Sequence, residues 1–211
     1  MALLQTIHLE HLPTSYDLHV ALYRNVTNAS FLHQQLLAGN AEYEYALIDA
    51  RVVVSRVHVL AAAYRAINDM LENRLRSRNV HAEIVFSLSP NNNISESFRR
   101  FGITPSTTSL LVLKLSTPTS SFSAPDVQAR LAASVVGDQV AFTDEVLREM
   151  TDIARVRKIY KADGGAGGRA NVGGGNGAKV TRELAGGEEE RARREVEVLV
   201  LGAMALRSLT N

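Results

Sequence analysis

The stretch from Glu83 to Gly102 reads EIVFSLSPNNNISESFRRFG, and its pattern predicts three local structures in succession. The short apolar run Ala82–Leu88 has the length and composition of a buried strand. The segment Ser89–Asn93 (SPNNN) consists of residues that favour turns. After it, apolar residues recur at spacings of three and four up to a glycine, which predicts a short amphipathic helix that ends at Gly102. The stretch is therefore predicted to be a strand, a turn and a helix.

Similar patterns extend in both directions from this stretch. Further strands are predicted at Leu18–Tyr23 and Leu110–Leu115, and a short extended segment or helix edge at Leu47–Val54. The predicted helices are Ala29–Ala38, capped by Asn28, and then Val57–Leu75, Pro125–Val136, Asp144–Tyr160 and Glu188–Leu209. Strands that alternate with helices predict an α/β (α+β) fold, in which helices pack on a small mixed β-sheet. Residues 1–211 are expected to form one domain.

Glycine is concentrated ahead of the predicted last helix. Ten of the fourteen glycines fall between Gly164 and Gly187, in a segment with almost no large apolar side chain. Such a segment buries too little surface to offset the entropy of ordering, so 163–187 is predicted to be a flexible, disordered glycine-rich insertion. The spacing of Lys179 after the glycines does not match a phosphate-binding loop.

Composition limits the compartment and the chemistry. The chain has no cysteine, which excludes disulfides, Cys-ligated zinc, iron–sulfur clusters and thiol catalysis. No apolar run approaches the length of a membrane span, and the first residues lack the pattern of a signal peptide. We therefore expect a protein of the nucleus and cytoplasm with no membrane partner.

Enzyme signatures are missing from the sequence. The six histidines form no recognisable metal-binding motif, and no nucleophile elbow, kinase signature or dinucleotide-binding fingerprint is present. We therefore expect no catalytic residue, no bound metal and no cofactor, and we favour a binding protein over an enzyme.

Positive charge is concentrated in the middle of the chain. Between Arg51 and Arg100 there are eight arginines, no lysines and four acids, although the net charge of the whole chain is only +1. Arginine is the residue that planar, bidentate phosphate recognition favours, so a phosphate-binding face is one interpretation. A solvated helix face gives the same composition, and the sequence leaves both open.

The helix that follows the Asn run offers a candidate anion site. Its first backbone N–H groups lack partners within the helix, and Arg99 and Arg100 lie on it. The alternative is that the asparagines only shape the turn and cap the helix, since Asn side chains satisfy free amides well.

Three segments together resemble a known protein family. The run Ser89–Glu96 (SPNNNISE), followed by Phe101–Ile103, is similar to the signature of the small kinase-binding subunits of the EKC/KEOPS complex, the family that includes the PRPK-binding protein TPRKB. Leu22–Ala29 (LYRNVTNA) resembles the family's first strand entering its first helix, and Arg157–Lys161 (RKIYK) resembles its segment before the C-terminal helix. The glycine-rich segment departs from the family pattern as an insertion.

The resemblance implies a non-catalytic subunit. Family members bind a small atypical kinase/ATPase, which in turn joins the threonylcarbamoyl transferase that modifies the adenosine beside the anticodon of tRNA. They also help to recruit tRNA by its single-stranded 3′ CCA end, and such ends are bound by cationic grooves and by stacking side chains. The residues expected to contact tRNA here are Arg65, Ser89, Asn91, Asn92, Asn93, Arg99 and Arg100.

The kinase contact is expected on the last two helices. The predicted C-terminal helix carries more apolar residues from Val196 onward than one buried face requires, so some are expected to reach a partner. The expected kinase contacts are Ile159, Tyr160, Val200, Ala203 and Leu206. The alternative for each of them is ordinary core packing.

Two other functions fit the same residues without the resemblance. One is a general RNA-binding α/β protein that uses the basic face and has no kinase partner. The other is a regulator that binds a small anion at the Asn turn. Binding of RNA without regard to the CCA end would favour the first, and thermal stabilisation by a phosphorylated metabolite would favour the second.

Overall fold

Five antiparallel strands organise the computed structural model, which describes residues 3–161 and 181–207, with side chains in the last helix from residue 190 onward. The strands are β1 (Gln5–His8), β2 (Asp17–Arg24), β3 (Ala46–Asp49), β4 (Leu110–Ser116) and β5 (Asp138–Val140). Their order is β1-β2-β4-β3, and β5 pairs with the end of β2. Every strand pairing is antiparallel, so the predicted α+β class is confirmed while the sheet is not mixed as expected.

Eight α-helices surround this sheet within the described ranges. They are α1 (Ala29–Leu37), α2 (Arg56–Leu71), α3 (Val80–Ser87), α4 (Ile94–Phe101), α5 (Ala124–Ser134), α6 (Asp144–Met150), α7 (Ile153–Tyr160) and α8 (Thr181–Leu206). Short 3₁₀ turns follow α1 at Ala41–Tyr43 and β3 at Ala50–Val52. None of these helices is long and apolar enough to cross a membrane.

Alternating side chains of the central strands fill two cores, one on each face of the sheet. Successive residues of a strand point to opposite faces, so Val20 and Leu22 enter one core while Ala21 and Tyr23 enter the other. The first core is shared with α2, α3, α7 and α8, and the second with α1 and α5. Both faces of β2 and β4 are thereby covered, which explains their nearly continuous apolar sequence.

The segment Ala82–Leu88 is not the predicted strand but most of helix α3. Asn79 begins this helix, since its Oδ1 accepts a hydrogen bond of 2.8 Å from the Ala82 backbone N–H. The helix packs against α2, α4 and the sheet, and all but one of its residues are buried. A helix buried all round shows no amphipathic period, so its sequence is indistinguishable from that of a buried strand.

Three predicted helices also differ from expectation, and one of them, Asp144–Tyr160, is two helices, α6 and α7. Helix α2 ends at Leu71 instead of Leu75, and α8 begins at Thr181 instead of Glu188, which places the end of the predicted flexible segment within a helix. The rest of that segment, 163–180, lies outside the described residues.

The predicted side-chain cap at Asn28 is absent. Asn28 stands at the start of α1 without a capping bond and instead links α1 to the end of α5. Its Nδ2 donates to the Ser134 carbonyl at 2.8 Å, and its Oδ1 accepts from the Val136 N–H at 3.0 Å.

Candidate functional site

The Asn turn, Ser89–Asn93, holds its own shape through its side chains. The Asn91 N–H donates to Ser89 Oγ at 3.3 Å, and Asn91 Nδ2 donates to Glu96 Oε2 at 3.0 Å. Asn93 caps α4, because its Oδ1 accepts from the Glu96 N–H at 2.9 Å, while Ser89 is fully buried. Ser89, Asn91 and Asn93 therefore act within the turn, and Asn92, which is exposed and accepts a hydrogen bond from Arg76 Nη1 at 3.5 Å, lies on its surface.

The arginines predicted to bind tRNA are not in one place. Arg99 has a side chain 76% exposed, with Glu96 at 3.4 Å as its ion-pair partner. Arg100 instead donates to the carbonyl of Ile159 at 3.2 Å and pairs with Glu96, so it joins α4 to the end of α7. Arg65 lies between α2 and α8, where Nη1 donates to the Met204 carbonyl at 3.0 Å.

Two arginines outside the predicted set, Arg76 and Arg78, share a surface with Arg99. Arg74, Arg76 and Arg78 are exposed in the loop between α2 and α3, and Arg76, Arg78 and Arg99 line one cleft. The name arginine rim is used below for Arg76, Arg78 and Arg99. The concentration of arginine between Arg51 and Arg100 is the sequence signal for the arginine rim. Arg76 and Arg78 reach this surface because α2 ends at Leu71, which leaves them in the loop that follows.

The C-terminal end of α3 is anchored by side chains from two distant helices. Tyr160, the last residue of α7, donates from its hydroxyl to the Leu88 carbonyl. Arg207 donates to the carbonyls of Phe86 and Ser89 and lies 4.0 Å above the Phe86 ring. Helix C-termini leave carbonyls without partners in the helix, and here those partners come from the last residue of α7 and the residue that follows α8.

A buried histidine extends this anchor toward α2. His58 Nδ1 accepts from the Val54 N–H at 3.4 Å, so the proton of the neutral ring is on Nε2, which lies 3.0 Å from the Tyr160 hydroxyl. Burial lowers the pKa of His58 to about 3 and raises the pKa of Tyr160. Burial also lowers the pKa of Arg207 to about 10. The histidine is thus a neutral structural donor.

Burial removes three of the predicted kinase contacts from the surface. Ile159 and Tyr160 are each only 7% exposed, and Val200 is completely buried in the core beneath α8. They are core residues because α7 and the inner side of α8 both cover the sheet face shared with α2 and α3. Ala203 is half-buried at the edge of this core.

The outer side of α8 carries an exposed apolar stripe. Val198 is 71% exposed, Leu199 is 38% exposed and the predicted contact Leu206 is 59% exposed. Gly202 lies between them, and a Cβ placed on it would meet no atom within 4 Å. The name α8 stripe is used below for Val198, Leu199, Gly202 and Leu206. Val198 was not among the predicted contacts, because an unbroken apolar run hides which residues face outward.

Metal-ligand chemistry has no support in the described part of the chain. Among its histidines, aspartates and glutamates, no three lie close enough together to hold a metal ion.

Comparison with known proteins identifies a family. A family model described as "Kinase binding protein CGI-121" matches residues 23–208. An EKC/KEOPS complex subunit cgi121 from Aspergillus terreus is 50% identical over 207 residues, and its Aspergillus fumigatus counterpart is 48% identical over 207, each alignment covering 98% of both chains. The Schizosaccharomyces pombe subunit is 34% identical over 147 residues, covering 70% of this chain and 83% of that protein. The chain therefore belongs to the CGI-121 family of kinase-binding proteins.

Proposed function

We propose that this protein is a non-catalytic subunit of an EKC/KEOPS complex in the nucleus and cytoplasm. It binds the complex's small atypical kinase/ATPase directly, and reaches the threonylcarbamoyl transferase through that kinase. It also helps to recruit tRNA by the 3′ CCA end for modification of the adenosine beside the anticodon. The names of its relatives and of its family support this proposal, and the α8 stripe is the observation that carries it.

The α8 stripe has the properties of a protein-docking surface. Its residues recur at spacings of one, three and four along α8, so they lie on one side of the helix. Contiguous exposed apolar patches on soluble proteins mark interaction sites, whereas single exposed apolar residues do not. The opposite side of α8 is occupied by the core, which leaves the stripe available to a partner. We assign the kinase to this surface.

Co-elution with the kinase subunit tests the assignment. Val198→Asp and Leu206→Asp each place a charge on the stripe, and each should abolish the stable complex that we expect the unchanged chain to form on size exclusion at moderate salt. Leu37→Asp on α1 is the matched control, because Leu37 is 73% exposed but lies on the other face of the sheet. Retained co-elution of both stripe variants, or its loss in the control alone, would contradict the assignment. Circular dichroism verifies that each variant is folded.

The arginine rim supports tRNA recruitment. Arg99 and Arg78 present exposed guanidinium groups, and guanidinium is suited to bidentate contact with phosphate. Asn92 lies beside the rim and offers a side-chain amide. Arg65 is placed at a separate junction, so we expect it to contribute less than Arg99 does.

The salt dependence of tRNA binding tests the role of the rim. Arg99→Glu should weaken binding of tRNA to the isolated chain and reduce the slope of log affinity against log salt by about one, since one phosphate contact is lost. Arg194→Glu is the control, because the Arg194 side chain is also 76% exposed but lies on α8. Kinase co-elution should be unchanged by Arg99→Glu. Equal slopes for Arg99→Glu and the unchanged chain would remove Arg99 from the site.

A further inference from the structure

The loop between α2 and α3 places one serine among three arginines. Residues 72–78 read ENRLRSR, so Ser77 has Arg76 directly before it and Arg78 directly after it. Ser77 is also the only serine of the sequence that has an arginine, Arg74, three residues before it. Protein kinases select substrates by the charge pattern around the hydroxyl, and acidic pockets of one class of Ser/Thr kinase bind arginine at this spacing. The sequence around Ser77 fits that class.

The conformation of the loop agrees with this charge pattern. Residues 74–76 lie in neither a helix nor a strand, and the Arg74 side chain is 60% exposed. Arg76 and Arg78 are exposed as well, and Ser77 is half-buried between them. A protein kinase binds its substrate as an extended segment, which an irregular surface loop can supply.

Two described threonines have the same arginine spacing in a different setting. Thr27 follows Arg24, which is part of strand β2, and Thr151 follows Arg148, which is part of helix α6. The Thr151 hydroxyl also donates to the carbonyls of Val53 at 2.6 Å and Leu147 at 2.7 Å. Neither segment is a loop that a kinase could extend, so the structure singles out Ser77.

A buried carboxylate holds the loop in its observed position. Glu83 of α3 is 1% exposed, and its Oε2 accepts hydrogen bonds from the Arg76 N–H at 3.1 Å and the Ser77 N–H at 2.7 Å. The Ser77 hydroxyl donates to the same oxygen at 2.5 Å. Buried charges need such partners, so the position of the loop and the burial of Glu83 depend on each other.

A phosphoryl group on Ser77 would reverse this interaction. The Ser77 oxygen would no longer carry a hydrogen to donate, and a charge of about −1.5 to −2 would stand beside the Glu83 carboxylate. Repulsion would then favour an open loop. Phosphoserine next to arginines forms charge-assisted hydrogen bonds, so Arg76 and Arg78 would pair with it and two of the three members of the arginine rim would be neutralised.

We propose that Ser77 is phosphorylated by an arginine-directed Ser/Thr protein kinase, and that this opens loop 72–78 and weakens RNA binding at the arginine rim. Ser77 Oγ attacks the γ-phosphorus of MgATP bound to that kinase, and the new O–P bond forms as the bond to the β,γ-bridging oxygen breaks. ADP leaves, and the hydroxyl proton passes to the catalytic aspartate of the kinase. The effect on RNA rests on the proposed function, whereas the modification and the opening of the loop do not.

Phosphorylation of the full chain tests the site. The probe is the catalytic subunit of cyclic-AMP-dependent protein kinase, an arginine-directed enzyme, with MgATP, and mass spectrometry locates the phosphate. Phosphate should appear at Ser77 and be lost from that position in Ser77→Ala. Arg74→Ala should slow its incorporation at least about tenfold, because the arginine three residues before the serine is removed. Arg194→Ala on α8 is the control and should stay within about twofold.

Hydrogen exchange tests the opening of the loop. The Arg76 and Ser77 amides, both bound to Glu83, should exchange at least about tenfold faster in the phosphorylated chain. Ser77→Ala keeps both amide bonds and should exchange within about threefold of the unchanged chain. In Glu83→Gln the repelling charge is absent, so phosphorylation should accelerate exchange less than it does in the unchanged chain.

Binding of tRNA over a salt series separates the two parts of the proposal. Phosphorylation should reduce the slope of log affinity against log salt by about two, because two arginines are taken from the rim. Absence of phosphate at Ser77, or phosphate without faster exchange, would overturn the proposed site. Equal slopes before and after phosphorylation would overturn its effect on the rim. If the unmodified chain binds no tRNA while Ser77 is modified and the loop opens, the proposed function fails and the modification site stands.

Discussion

Removal of one hydroxyl group from the core should destabilise the whole protein. Tyr160→Phe deletes the group that donates to the Leu88 carbonyl and lies 3.0 Å from His58 Nε2. The ring itself should stay in place, because Phe fills the same space and keeps the edge-to-face contact with Phe101 at 6.0 Å. The mutation therefore changes hydrogen bonding without creating a cavity.

The expected cost follows from what the substitution leaves behind. The Leu88 carbonyl and the His58 N–H would both be buried without these partners, and a buried unsatisfied group costs about 1–3 kcal/mol. Because the two groups can relax toward each other, we expect a loss of about 2–4 kcal/mol in the free energy of unfolding. That loss is a large fraction of the stability of a typical domain.

Urea unfolding followed by circular dichroism at pH 7 measures this loss. Tyr64→Phe is the matched control, because the Tyr64 ring is 38% exposed on α2 and its hydroxyl bonds to no described residue. The control should unfold within about 0.5 kcal/mol of the unchanged chain. The reasoning is refuted if Tyr160→Phe also stays within that margin with an unchanged slope, since the anchor at the end of α3 would then contribute nothing.

Three further predictions concern the pH dependence of stability and two glycines. Burial lowers the pKa of His58 to about 3, so the unfolded chain binds more protons below pH 6.5, and the free energy of unfolding should fall by roughly 2 kcal/mol from this residue between pH 6.5 and 5. Urea midpoints should depend less on pH in His58→Gln, and equal dependence would contradict the assignment. Gly39→Ala should cost about 1 kcal/mol, because Gly39 has φ +68° and faces Arg78. Gly202→Ala, in open space on α8, should instead raise the melting temperature.

The longer elements of the fold could be predicted from periodicity, whereas the short strands β1 and β5 could not, and the error at α3 has a physical cause. The strands at β2 and β4 and the amphipathic helix α4 occur where their patterns placed them. Helix α3 was predicted as a strand because it is enclosed by α2, α4 and the sheet, so its apolar residues follow no helical period. The Asn79 cap was the available local signal, and it lies outside the run that was interpreted.

The candidate surfaces were predicted less well, for a related reason. From Val198 to Leu206 the residues are apolar on both sides of α8, so the sequence could not separate buried Val200 from exposed Val198. For polar residues, the sequence does not show whether the side chain binds a ligand or another part of the protein. Asn91 and Arg100 could each bind a ligand, but in the structure they donate hydrogen bonds to Glu96 and to the Ile159 carbonyl. Exposure, which decides both questions, depends on tertiary contacts that local patterns do not encode.

The anchor at the end of α3 has a consequence for how the chain can be divided. Tyr160 and Arg207 bind neighbouring carbonyls, although the first ends the segment before residues 162–180 and the second lies near the end of the chain. The position of α8 is thus specified by side-chain contacts at its far end and by its buried face. A protein cleaved between Lys161 and Thr181 should therefore hold together as two fragments, and separately expressed fragments should reassemble at that point of contact.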